Sequence, residues 1–182
     1  MTQRMKFRTY KTLRRLGLIT QESEDRLQEA PRPDRLCGKA IPQDLNDLTM
    51  GQLADIMSLK QGDEIEAVRV VAGIEPKDLD KEQAVKGIGP INFIQSELHR
   101  IADLFKQLKP NHTKEERQAG VEDLDFGIFG TIDWYAQRMG ITDHDEVLKV
   151  PWLHIWQCSK IDKEHHEYQQ RYQETLYQNS KP

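Results

Sequence analysis

Six apolar residues, Ile91, Ile94, Leu98, Ile101, Phe105 and Leu108, follow one another at intervals of 3, 4, 3, 4 and 3. Only an α-helix brings that spacing onto one face, because its turn returns a side chain to the same side every third or fourth position. A helix of about five turns is expected here, ended by Lys109-Pro110-Asn111. It either crosses a core or forms a helix-pairing seam between subunits of a homo-oligomer. The stripe is too short to choose between globular packing and a coiled coil.

Helix signals recur on both sides of it. Thr49 and Gln52 have the spacing of a capping box, in which side chain and backbone bond reciprocally, ahead of Met50, Leu53, Ile56 and Met57. Asp63 and Glu66 repeat the spacing before Ile65, Val68, Val71 and Ala72, and Gly73 closes that helix. Asp80 and Gln83 open a third, which Gly87-Ile88-Gly89-Pro90 should cut off. Thr113 and Glu116 offer a brief helix before Gly120. Over residues 122–139 a helix would place Leu124, Ile128, Ile132, Tyr135 and Met139 on one face, although Gly127 and Gly130 weaken its first half. Gly140 reads as its end, Asp143 and Glu146 as another start, and Pro151 as the opening of a long final helix towards Tyr177.

The first 20 residues carry Arg4, Lys6, Arg8, Lys11, Arg14 and Arg15 with no acidic residue, while the whole chain has a formal net charge of -4. MKFRTYKTL is expected as a short strand, LITQESEDRLQEA (residues 18–30) as a short helix capped by Thr20 with Leu27 inward, and Pro31 and Pro33 as a break. The expected fold is mainly α: a compact multi-helix domain with an extended or short-strand N-terminal arm and a long C-terminal helix. The divisions are a basic arm and linker at 1–40, a helical domain at 41–177 and a flexible tail at 178–182. The arm would protrude, and its six cations would meet an acidic partner or, less readily, nucleic acid.

Chemistry-bearing patterns are sparse. The 182 residues contain two cysteines and six histidines, without HExxH or a cysteine–histidine zinc spacing. The glycines at 87 and 89 lack the GK[ST] ending of a phosphate loop, and no GxSxG elbow occurs. No catalytic residue, metal site or cofactor is expected, and the chain reads as a non-enzyme. No apolar run approaches the roughly 20 residues of a membrane span, and the basic start lacks the apolar segment of a secretory signal, so a cytoplasmic protein is expected.

Aromatic residues are more informative. Phe126, Phe129, Trp134, Tyr135, Trp152 and Trp156 fall on two adjacent expected helices. Packing between those helices is the plainer reading, and a docking groove the functional one. Candidate protein-binding positions are Leu98, Ile101, Phe105, Trp134 and Trp156, joined by Tyr168 and Tyr172, which stand one helical turn apart.

Two stretches carry a resemblance. IPQDLNDLTMGQLADI, residues 41–56, is similar to the opening of tail assembly chaperone-like proteins of tailed bacteriophages, in which a proline and a turn precede a D-[LIV]-T-x-x-Q helix start. IDWYAQRMGITDHDEVLKVPWLHIW, residues 132–156, resembles their carboxy-terminal pattern of a small helix, a glycine, a D-E-V-L turn and Pro-Trp before a longer helix. The aromatic residue often beside the first proline is absent, with Gln43-Asp44-Leu45 in that turn. Matching positions are Pro42, Asp47, Thr49 and Gln52, then Glu146, Val147, Leu148, Pro151 and Trp152. The resemblance implies a non-catalytic chaperone that binds a phage tail protein during virion assembly in the host cytoplasm, without ATP or metal. A structural connector or tail component retained in the virion, and a nucleic-acid-associated regulator acting through the basic arm, are the alternatives.

Overall fold

In a computed structural model the protein is mainly α-helical, with a short strand pair near the N-terminus and a long C-terminal helix. The structure describes residues 5–60, 62–110 and 112–180. The chain forms two compact units, Met1–Ile101 and Ala102–Pro182.

The first unit starts with α1 (Phe7–Arg15), where a strand was expected. Phe7 and Tyr10 explain the difference. Three residues apart, they share one face of a helix but would lie on opposite faces of a strand. Both are buried, with stacked rings 6.1 Å apart between centroids. The segment is thus packed rather than protruding, and strand-like pairing is limited to a bridge between Lys6 and Gln83. After α2 (Gln21–Gln28), with Leu27 buried, β1 (Arg35–Leu36) and β2 (Lys39–Ala40) pair antiparallel, Arg35 opposite Ala40. Their two-residue turn puts Cys37 and Gly38 at φ 49° and 79°, the left-handed geometry of a tight hairpin.

Helix α3 (Met50–Ser58) begins with the expected capping box: Gln52 N–H donates to Thr49 Oγ1 at 3.2 Å, and Thr49 N–H donates to Gln52 Oε1 at 3.0 Å. Helix α4 (Glu64–Ala72) ends at Gly73 as expected. Its Asp63 makes no side-chain cap: its backbone stands at φ -99° and ψ 18° rather than extended, and Glu66 N–H donates to the Asp63 carbonyl at 2.9 Å. A short α5 (Pro76–Leu79) follows.

The main correction concerns α6, which runs unbroken from Ala84 to Lys106 through Gly87-Ile88-Gly89-Pro90. These four residues are buried, and they serve close packing rather than termination. A methyl on Gly87 would stand 2.6 Å from Phe7 Cδ2, and one on Gly89 would stand 2.2 Å from the Pro31 carbonyl oxygen. Missing side chains let α1 and the 31–33 segment press on the helix. Asn92 Nδ2 then donates to the Leu27 and Gln28 carbonyls, both at 2.9 Å, satisfying the end of α2. Further along the helix, Glu97 accepts from Leu45 N–H at 3.0 Å and pairs with Arg100 at 2.7 Å. Arg100 also donates to Asn46 Oδ1 at 2.8 Å, so α6 holds the turn preceding α3. Leu53, Ile56, Val68, Ile74, Leu79, Ile94 and Ile101 complete this core, each burial stabilising by about 1.5–3 kcal/mol.

The second unit holds the last residues of α6, α7 (Lys114–Gln118), a tight turn at Val121–Asp123, α8 (Gly127–Met139), α9 (His144–Leu148) and α10 (Trp152–Asn179). Its core joins Ile132, Tyr135 and Ala136 of α8 to Val147 of α9 and Trp152, Ile155 and Cys158 of α10. Helix α8 starts at Gly127, five residues later than expected at 122. Leu124 therefore falls outside the helical phase and is exposed rather than inward. Gly140, at φ 68°, ends α8 in the left-handed conformation. The carbonyls at the end of α6 find donors on α10: Trp156 Nε1 donates to Leu104 at 3.0 Å and Lys163 Nζ to Gln107 at 2.5 Å. A lysine there also suits the negative end of the helix dipole.

Candidate functional site

The residues singled out from the sequence divide into builders and exposed groups. Ile101 is buried in the first unit, where Leu98 is half-buried. Phe105 lies against Trp152, with ring centroids 6.0 Å apart. Trp134 packs beside Tyr135 at 6.2 Å, and Trp156 is half-buried with its indole N–H bonded and Lys160 5.6 Å above its ring. These aromatics have structural partners. Tyr168 and Tyr172 do project into solvent, 53% and 47% exposed, with rings stacked at 6.2 Å.

The motif positions are mainly architectural. Thr49 and Gln52 form the box that starts α3, Pro42 is half-buried beside it, and Asp47 is exposed. Val147 and Trp152 are fully buried, and Leu148 is half-buried. Glu146 pairs with Lys149 at 2.6 Å, while exposed Pro151 occupies the residue ahead of α10.

What sequence reasoning undervalued is the surface at the start of α8. Leu124, Phe126 and Phe129 are 63%, 70% and 57% exposed within six residues. Asp125 Oδ1 accepts from Gly127 N–H at 2.8 Å, and Gly127 at φ 53° turns the chain into the helix just after Phe126. Gly130 leaves room for Phe126, whose Cβ would stand 2.7 Å from a methyl there. Phe129 meets the His144 ring edge-on at 5.2 Å, and His144 Nε2 lies 3.3 Å from Asp133 Oδ1. The glycines at 127 and 130 were the available signal, since Gly127 readily adopts the left-handed conformation and Gly130 leaves space for the Phe126 side chain.

The basic residues of the N-terminus belong to a different place. Arg4 lies outside the described residues. Lys6 donates to the Lys81 carbonyl at 2.6 Å. Arg8, Lys11, Arg14 and Arg15 border a cleft of about 850 Å³ within the first unit, whose other walls come from α2, the start of α4, Asp80 and α6. Charges of both signs converge there. Lys11 Nζ is 2.5 Å from Asp80 Oδ1. Burial pushes the Tyr10 phenol above its ordinary value; Arg14 counters the rise, and Glu24 and Glu64 add to it.

Among the described residues no three histidine, cysteine or carboxylate side chains are grouped to hold a metal ion. His165 and His166 are exposed, and His166 Nε2 lies 2.9 Å from Gln170. Exposed aromatics and a charged cleft are suited to non-covalent recognition. Comparison with known protein families, curated proteins and solved structures returns no match.

Proposed function

We propose that this chain is a non-catalytic assembly chaperone that holds an apolar segment of a phage tail protein before the virion is complete. The observation that carries the protein-binding part is the exposed trio Leu124, Phe126 and Phe129. Large aromatic side chains left in water give up that contact readily to a partner's apolar surface and supply much of the energy of many interfaces. The assembly role rests on the resemblance at residues 41–56 and 132–156. Its setting would be the cytoplasm of the infected cell; no helix among the described residues is long and apolar enough to cross a membrane.

The test is co-expression with the long tail proteins of the same gene set, followed by affinity capture and analysis of finished particles. A tail protein should be captured, and Phe126→Asp with Phe129→Asp should reduce capture about tenfold or more. Circular dichroism should be unchanged, because neither ring belongs to the core. The chain should be absent from mature particles. Stoichiometric retention there would make it a connector or tail subunit instead, and failure to capture any tail protein would remove the chaperone reading.

A further inference from the structure

The cleft in the first unit is a recognition surface of its own, distinct from the aromatic patch of the second unit. Its volume of about 850 Å³ is within the range that accommodates a ligand of several residues. Helix α1 supplies the cations. Arg8, Arg14 and Arg15 are exposed, and among the described residues no carboxylate pairs with any of the three. Lys11 differs, being engaged by Asp80. The cleft is also lined by Glu24 from α2 and Glu64 from α4, and by the half-buried side chains of Ile65 and Ile91.

This arrangement selects among anions. A nucleic acid repeats its phosphates at short, regular intervals. Laid along α1, it would set some of them against Glu24, Glu64 and Asp80, and juxtaposed like charges work against binding. An extended peptide alternates its side chains between two faces, so it can keep carboxylates on one side and apolar groups on the other. Guanidinium groups match carboxylates with paired hydrogen bonds. We infer that the cleft is a docking site for an acidic, amphipathic peptide segment of a partner protein. The partner's carboxylates meet Arg8, Arg14 and Arg15, and its apolar side chains rest on Ile65 and Ile91.

Fluorescence anisotropy on the full chain tests this with a short labelled peptide of alternating glutamate and leucine. The corresponding lysine–leucine peptide and a single-stranded oligonucleotide of equal length serve as comparators. The glutamate peptide should bind, more weakly as salt rises. Arg8→Glu with Arg15→Glu should lower its affinity about tenfold or more, with circular dichroism unchanged because both side chains are solvated. Glu24→Gln with Glu64→Gln should raise affinity several-fold and admit the oligonucleotide. The inference is overturned if the glutamate peptide fails to bind, if the arginine variant binds it equally well, or if the unaltered protein takes either comparator as tightly. The Phe126/Phe129 variant should retain peptide binding, so the two readings fail separately.

Discussion

Gly89 is a position where one methyl group has a large effect. In an open helix interior, alanine in place of glycine stabilises by about 1 kcal/mol. Here the added carbon would stand 2.2 Å from a backbone carbonyl that cannot rotate away. Gly89→Ala is therefore expected to lose about 1–3 kcal/mol, the usual range for overpacking. A urea unfolding midpoint that is unchanged or raised would show that the 31–33 segment is not pressed on α6. Glu97 gives a second prediction at this scale. The Arg100 hydrogen bond, helped by Leu45 N–H and opposed by partial burial, holds its carboxyl below the ordinary 4.5. A carboxyl with a depressed folded-state pKa adds stability that is complete above the unfolded value and disappears as pH falls through the folded one. The unfolding midpoint should decline as pH is lowered past 4.5, and Glu97→Gln should flatten part of that decline. An identical slope in the variant would remove Glu97 as a contributor.

Helix α10 contains two different kinds of helix. Its first part is fastened by Trp152, Ile155 and Cys158, by Trp156 and Lys163, and by the 3.0 Å pair between Arg138 and Asp162. From Tyr168 onward every described residue is exposed. A helix of that length without packing is marginal in water. Removing residues 168–182 should reduce the helical circular dichroism signal while the melting temperature stays put. A fall of more than about 4 °C would mean that the outer half supports the fold. The sequence displayed this helix, and also α3, because their signals are local: a cap, a proline, an apolar period. It misplaced α1 and the interior of α6, whose conformations depend on each other. Phe7 needs the vacancy at Gly87, and that vacancy resembles a helix break until Phe7 fills it. The same reason hid the cleft, since Glu64, Asp80 and Ile91 lie far in sequence from the arginines with which they line it. Leu124 was misassigned because the start of α8 depends on the conformation of one glycine.

At the scale of the whole molecule, the two units carry different surfaces. The first displays exposed arginines beside a polar cleft, and the second displays exposed aromatic side chains. The formal net charge of -4 conceals this division. A partner that engages both would need an acidic stretch and an apolar one, linked by chain long enough to reach from one to the other. The division has an optical counterpart. All three tryptophans, Trp134, Trp152 and Trp156, belong to the second unit, while the first has only Tyr10 and phenylalanines such as Phe7 and Phe93 as its described aromatics. Intrinsic tryptophan emission is thus a private channel for the second unit. Ellipticity reports the helices of both units together, so comparing the two signals shows whether they unfold as one.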